Sequence, residues 1–424
     1  MKCINCKKKR LDKIVNLGKQ PISSLFYNKP KKNLKSYPLD LYKCKNCNLV
    51  QLKELAPLEN MYGSTYGYRT SLSPLMIEHM KEKYLKILKD KIVLKSKDKI
   101  LDIGCNDGTF LNFFAKNKYK ELYGIDPSAG KFQKYHSNQI KLETDFFSRA
   151  SVEKKFGKKK FNLITSFAMF YDIEDPNSFC KDIFKLLHKD GIWILELSYW
   201  PMLIENLTYD QICHEHVSYY SISVFKKLIE KNNLKILDFR FNEINGGSIE
   251  IKCSKKKSKL KSNTKKIYEL IDYESKINKK TYENLNLRIN NTKKNLIEFL
   301  KLAKLTKKSV LGYGAATKGN IVLNQISANS KLIPFIADAN PEKNNKFTPG
   351  SNIQIISKKK MRKINPDYLL VLIWSFRKET IKQEINYIKK GGKLVFHLPV
   401  FHIIDKYNYK EYLNSDLSAF ANKI

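Results

Sequence analysis

The segment Lys99-Ile100-Leu101-Asp102-Ile103-Gly104-Cys105-Asn106-Asp107-Gly108-Thr109-Phe110-Leu111 constrains this chain more than any other. An apolar strand runs straight into a loop with two glycines, and a helix opens beyond it. Such a unit belongs to a parallel α/β sheet. Gly104 carries no Cβ, so the backbone can approach a ligand closely. A dinucleotide site would place Gly-x-Gly-x-x-Gly here to seat a pyrophosphate. Asn106 holds the middle position instead and Asp107 follows it. An acidic loop repels phosphate and suits a cationic cofactor.

Around this loop the 424 residues separate by pattern into four regions. Residues 1–75 are rich in Cys, Lys and Tyr. Residues 76–255 alternate strand-like runs (Lys99–Ile103, Leu122–Ile125, Leu163–Phe167, Gly191–Glu196, Ile249–Lys252) with helix-like segments. Residues 256–308 are polar and Lys-rich, with apolar positions at helical spacing that predict one or two connecting amphipathic helices. A second α/β unit occupies residues 309–424, where the run Ser309–Gly314 is a strand entering a Gly-rich turn and further strands follow near Leu332–Asp338, Tyr368–Trp374 and Lys393–His397. With 42% hydrophobic and 12% aromatic residues, the chain has the material for real cores. No apolar run reaches a membrane span and the N-terminus shows no secretory signal, so a cytoplasmic protein is expected.

Two further stations follow the glycine loop. Leu122-Tyr123-Gly124-Ile125-Asp126 ends a second strand with a carboxylate that can accept both hydroxyls of a ribose. Glu143-Thr144-Asp145-Phe146 offers a carboxylate and an aromatic ring to an adenine. In this order the stations resemble the class I S-adenosylmethionine (SAM)-dependent methyltransferases, whose fold is Rossmann-like. The resemblance implies SAM as cofactor. Asp102, Gly104 and Asn106 would then lie near its methionine part, Asp126 on the ribose, and Asp145 and Phe146 at the adenine, with Asp107, Gly108 and Ser166 also binding the cofactor.

Cys3-x-x-Cys6 and Cys44-x-x-Cys47 are two knuckles separated by 37 residues. Each offers two sulfurs from one side, and together they close a tetrahedral Zn²⁺ shell with no open position. A structural zinc is expected. Two disulfides fit poorly with a cytoplasmic chain.

The net charge of +38 comes from 79 basic against 41 acidic residues and invites a nucleic-acid partner. Only seven of the basic residues are Arg, however, and Arg makes the bidentate base and phosphate contacts. Asn/Asp-Pro-Pro-aromatic, usual where exocyclic base amines are methylated, is replaced by Ser166-Phe167-Ala168-Met169-Phe170-Tyr171. A nucleic-acid partner is disfavoured, and the charge reads as a solvated Lys-rich surface. Nothing in the sequence speaks to oligomeric state.

The remaining chemistry lies in Tyr209-Asp210-Gln211-Ile212-Cys213-His214-Glu215-His216-Val217-Ser218-Tyr219-Tyr220. Two of the seven histidines flank a carboxylate here. Histidine near neutral pKa is a natural base for a proton α to a carbonyl. A structural histidine pair is the plain alternative. In an extended stretch His214 and His216 would share a face and Glu215 would point away.

With this motif the whole chain resembles the nucleotide-sugar C-methyltransferases that make branched deoxysugars. They join an N-terminal zinc segment, a SAM domain with His-Glu-His, and a C-terminal α/β domain bearing Gly-Tyr-Gly-Ala-x-x-Lys-Gly-Asn, here Gly312–Asn320. The resemblance implies His216 as base, Glu215 and His214 as its neighbours, and a tyrosine from Thr65-Tyr66-Gly67-Tyr68, with Tyr68 preferred to Tyr66. It places Asn245, Gly246, Gly247, Ser248, Tyr313, Lys318 and Asn320 around the substrate, an NDP-4-keto-deoxysugar methylated beside its ketone. Independently, a Gly-x-Gly turn followed by a helix-start lysine can receive a diphosphate. One departure stands out: Cys213 occupies a position where the family carries Tyr. O- or N-methylation of a sugar or small metabolite is the alternative, and RNA methylation a more distant one.

Overall fold

The computed structural model describes residues 2–57, 61–62, 67–90 and 94–416. Three sheets organise it. The middle sheet has seven strands, ordered Leu234–Asn242, Ser248–Lys255, Leu187–Ser198, Phe161–Phe167, Ile100–Ile103, Leu122–Ile125, Ile140–Glu143. The last five are parallel, and Ser248–Lys255 runs antiparallel to both its neighbours. Ile100–Ile103 is buried throughout, as a strand covered on both faces must be. Strand order reverses between Ile100–Ile103 and Phe161–Phe167. In an open α/β sheet that switch point, outside the carboxyl ends of the strands, is where ligands bind.

The C-terminal sheet repeats this logic with six strands, Gln354–Ser357, Phe335–Asp338, Val310–Tyr313, Tyr368–Val371, Lys393–Phe396 and His402–Ile404. Only the last pair is antiparallel. Its switch point lies between Val310–Tyr313 and Tyr368–Val371. Two expected strands end differently: Leu332 precedes the strand that starts at Phe335, and Ile373 and Trp374 lie past the strand that stops at Val371.

The N-terminal sheet pairs Leu11–Pro21, Ser36–Cys44 and Val50–Leu52 antiparallel, and its fourth strand comes from far along the chain. Ser218–Tyr219, directly after His216, pairs with Val50 and Gln51. A boundary at residue 75 therefore does not separate the N-terminal unit in space.

Residues 256–308 contain two helices, Thr264–Ser275 and Lys279–Leu305, the second opened by an Asn278 capping box. Ile267, Leu270 and Ile271 pack on the core of the middle domain. Tyr282, Leu285, Ile289, Leu296 and Leu300 join a core shared by the N-terminal sheet and the C-terminal domain. The connector is thus part of the packing that holds the units together.

Candidate functional site

The cysteine knuckles come together as their spacing demands. Lys7 and Asn48 take positive φ (60° and 63°), so each loop turns back and its N–H bonds the carbonyl of Cys3 or Cys44 at 2.9 Å. The four Sγ atoms lie within 4.8 Å of one another, with Cys3–Cys47 and Cys6–Cys44 both at 3.5 Å. A tetrahedral zinc thiolate has sulfurs about 3.8 Å apart, so the donor set fits Zn²⁺. All four positions are filled by sulfur, which makes the role structural.

The cofactor loop sits at the switch point of the middle sheet. Gly104 (φ 76°) leaves a cradle, since a Cβ there would meet Met169 Cγ at 3.2 Å. Gly108 (φ 73°) caps the helix Thr109–Ala115. Asp102 is buried with Thr165 Oγ donating to it at 2.6 Å, and burial pushes its pKa up to about 7. Asp126 closes the next strand and accepts from Asn106 N–H at 3.0 Å and from Ser128 N–H and Oγ at 2.6 Å. Asn106 and Asp107 hold a strap over the loop: Thr70 N–H donates to Asn106 Oδ1 (3.0 Å) and Ser71 N–H to Asp107 Oδ2 (2.9 Å). An acidic, glycine-lined cradle of this kind fits a cationic nucleoside.

The strap carries Tyr68. Its ring is 45% exposed, yet its hydroxyl end is turned in beside Thr70 and Asp107, and desolvation pushes the pKa up to about 12. Tyr66 and Thr65 lie outside the described residues.

A second cleft opens where all three units meet. Residues 213–215 form a bend, not an extended strand, so the two histidines diverge. His214 faces the N-terminal sheet, its ring 6.2 Å edge-on from Tyr37, and burial holds its pKa down to about 4. His216 turns the other way. It packs on Tyr171 at 4.2 Å, its Nδ1 has no hydrogen-bond partner among the described residues, and burial, then Lys318, hold its pKa down to about 3. Glu215 is buried beside it and raised by desolvation. The Cys213 thiol, pushed up by burial and by Glu215, lines the same cleft.

The C-terminal domain closes the cleft from its own switch point. Gly314 (φ 86°) makes the turn after Val310–Tyr313, and Lys318 stands near the start of the helix Thr317–Gln325. Lys318 Nζ donates to Asn245 Oδ1 at 3.1 Å, and burial lowers its pKa against the pull of Asp210. Trp374 Nε1 donates to Asp210 Oδ2 at 2.7 Å, and its ring lies where a Cβ on Gly246 would fall, 2.4 Å away. The Asn245–Gly247 turn thus exists in this form because the opposite domain presses on it.

Comparison with known proteins adds family to geometry. Residues 243–399 match the family described as "C-methyltransferase C-terminal domain", residues 76–238 "Methyltransferase domain", and residues 3–62 "Putative zinc binding domain". The C-methyltransferase NovU of Streptomyces niveus is 26% identical over 371 residues, covering 87% of this chain and 88% of that protein. The chain is a SAM-dependent C-methyltransferase. A ubiquinone biosynthesis O-methyltransferase of Pelagibacter ubique is 31% identical over 133 residues, 30% of this chain and 53% of its own length. Among solved structures, magnesium protoporphyrin IX methyltransferase from Synechocystis PCC 6803 with bound SAH aligns at TM-score 0.33 and 14% identity, over 42% of this chain and 83% of that one.

Several expected site residues of the methyltransferase have other employment. Tyr313 donates to Glu384 at 2.9 Å and accepts from Lys358 inside the C-terminal domain, so its hydroxyl is withdrawn from the cleft. Ser166 accepts from Trp193 Nε1 at 2.9 Å within the core. Ser248 Oγ bonds the Ile244 carbonyl, and Asn320 Nδ2 bonds Ser23 O at 2.7 Å, tying the C-terminal domain to the N-terminal segment. Asp145 accepts from Ser151 Oγ and its neighbour Phe146 N–H, while the Phe146 ring stays exposed at the rim. Gly247 (φ 131°) packs on Met202. Sequence reasoning passed over Tyr62, Asp172 and Trp374, and did not weigh Asp210 and Tyr171 though they stood in the segments it singled out.

Proposed function

We propose that this methyltransferase acts on an NDP-4-keto-deoxysugar, at the carbon beside the ketone, through an enolate formed by His216. The observation that carries the reading is His216 itself: a neutral buried imidazole whose Nδ1 has no hydrogen-bond partner among the described residues. Such a ring holds a lone pair ready for an α-proton. Lys318, near the uncapped start of the helix Thr317–Gln325, supplies the cation that a diphosphate needs. Binding of that dianion beside Lys318 cancels the charge that depresses His216 and so strengthens the base. The C-methyltransferase name carried by the Streptomyces relative supports carbon as the acceptor.

SAM, bound at the glycine cradle, supplies an electrophilic methyl group. The chain's own part is positioning: Asp126 and Asp102 fix the cofactor, Lys318 and Asn245 fix the acceptor, and the three packed units exclude water from the cleft. Tyr68 is placed on the cofactor side, where its phenol orders the strap.

The test incubates the protein with SAM and a panel of NDP-4-keto-sugars, and reads products by mass spectrometry and NMR. A carbon-linked methyl is expected; an ether or N-methyl product refutes the carbon acceptor. In parallel, His216→Ala is assayed for solvent-deuterium exchange at the α-carbon without SAM. Exchange at the wild-type rate refutes His216 as base.

A further inference from the structure

The cleft holds two carboxyl groups, and only one of them belongs to the His-Glu-His motif. Asp172 ends the short helical turn Phe170–Asp172 that follows strand Phe161–Phe167. Its chain neighbour Tyr171 packs at a tilt on the His216 ring, 4.2 Å between centroids, which brings this turn of backbone next to His216. Tyr62, from the N-terminal unit, donates its hydroxyl to Asp172 Oδ2 at 2.7 Å. The other oxygen, Oδ1, is shielded from solvent and has no hydrogen-bond partner among the described residues. Glu215 Oε2 is in the same condition, on a side chain only 6% exposed. Glu215 lies within electrostatic reach of Asp172, and the unpartnered atoms Asp172 Oδ1, Glu215 Oε2 and His216 Nδ1 are all shielded from water.

We propose that Asp172, sharing one proton with Glu215, is the acid that protonates the ketone oxygen of the acceptor while His216 removes the α-hydrogen. This rests on the enolate reading above and names the group that completes it. Two desolvated carboxyls in one cleft cannot both ionise, so a proton is retained between them at neutral pH. Burial first, and the charge of Glu215 second, raise Asp172 well above the carboxylate range, which makes it the holder. Tyr62 opposes that shift and stands ready to stabilise the carboxylate once the proton has left.

In the step itself the Cα–H bond breaks and its proton goes to His216 Nδ1. The bonding pair becomes the C=C bond, and the carbonyl π pair takes the proton from Asp172 Oδ1. The products are an enol, an imidazolium and an aspartate, with charge conserved. Reversal returns both protons, so the step alone washes solvent deuterium into the α-position. Tyr68, turned to the cofactor loop, is not needed for it.

The titration belongs to a crowded site. Tyr62, Cys213 and Tyr219 act on the pair from the N-terminal and middle units, and Lys318 of the C-terminal domain acts on Cys213 and His216 beside it. The experiment is α-deuterium exchange into an NDP-4-keto-sugar without SAM, followed against pH. Wild type, Asp172→Asn and Tyr62→Phe are compared. Wild-type exchange should fall at alkaline pH, as the shared proton is lost. Asp172→Asn, which can donate a hydrogen bond but no proton, should exchange about a hundredfold more slowly and lose that alkaline limb. Tyr62→Phe removes the bond that favours the carboxylate, so its limb should move to higher pH.

Asp172→Asn exchange within threefold of wild type, with the limb retained, overturns the assignment to Asp172 and leaves the enolate reading standing. Should Asp172→Asn fail to fold, an unmoved limb in Tyr62→Phe overturns the assignment instead. Wild-type protein that yields a methylated product but no exchange at all overturns the enolate reading, and the acid with it.

Discussion

His397 follows the strand Lys393–Phe396, is wholly buried, and has no hydrogen-bond partner for either ring nitrogen among the described residues. Burial, with His402 nearby, holds its pKa down to about 3. In the unfolded chain an imidazole titrates near ~6.5. Between these values the unfolded state binds a proton that the folded state refuses, so stability falls as pH falls from about 6.5 downward. At pH 5 the unfolded ring is almost fully protonated, and the linkage from this one group is about 2 kcal/mol. His214 and His402 (both to about 4) and His216 (to about 3) carry the same sign. Unfolding near pH 5 should therefore load these four histidines with protons, while the raised carboxyls Asp102, Asp172, Asp210 and Glu215 give theirs up.

The perturbation that isolates one of them is His397→Leu, which replaces the neutral ring with an apolar side chain that cannot charge. Urea unfolding is measured at pH 7.5 and pH 5, with fluorescence of Trp374 as a reporter in the same domain. Between the two pH values His397→Leu should lose about 2 kcal/mol less stability than wild type. The comparison within each protein cancels whatever cavity or strain the leucine introduces at both pH values. Equal losses in the two proteins would refute the reasoning, because His397 would then have to charge as easily folded as unfolded.

Other perturbations test other parts of the frame. Lys83 is buried between Glu196 and Glu250, 2.6 Å from each, and those two glutamates face each other directly in the strand register. Burial would raise Glu196, but Lys83 and His79 outweigh it and hold it well below the carboxylate range. Lys83→Met should thus cost about 3–5 kcal/mol, read as a lower urea midpoint, and Lys83→Met with Glu250→Gln should recover part of it. Cys44→Ser leaves three thiolates, so the purified protein should contain less than one zinc per chain by elemental analysis and unfold at lower temperature. Gly108→Ala puts a Cβ 2.5 Å from His136 Cδ2 at a positive φ, and calorimetry should show SAM affinity falling about tenfold or more.

Features set by neighbours in sequence are legible from the residues alone. The cysteine knuckles and the Gly104–Gly108 loop each depend on a turn a few residues long, where spacing dictates geometry. The direction of His214 is not legible in that way, because it depends on a strand pairing between residues 50–51 and 218–219 that no local pattern announces. Tyr313 misleads for the opposite reason: it sits inside a conspicuous motif, but strand alternation points its hydroxyl at Glu384 and Lys358. Asp172 and Tyr62 escape because their meaning lies in their contact, across more than a hundred residues of chain. One signal does point to the aspartate. It stands directly after the aromatic run that ends the fourth strand, where a helix turn must bring it back over the carboxyl edge of the sheet.

The proposed acceptor site around His216 has no single owner, and that gives a structural zinc a place in a methyltransferase. The knuckle at Cys3 places Ile4, whose N–H donates to Gln51 Oε1 at 2.9 Å. Gln51 pairs in register with Ser218, two residues beyond His216. Fixing four sulfurs therefore fixes the edge strand that follows His216, through a path of hydrogen bonds with few rotatable links. From the same unit Tyr62 reaches Asp172 and the Ser23 carbonyl reaches Asn320, whose helix carries Lys318. The glycine cradle could hold its nucleoside with the middle sheet alone, as its contacts come from that sheet and the strap. The proposed deprotonation of a carbon acid cannot be done so locally. It needs a neutral base, a retained proton and a cation in one site with little water, and each of these costs free energy to hold there. Three packed units share that cost, and the zinc stiffens the one with the smallest apolar core of its own.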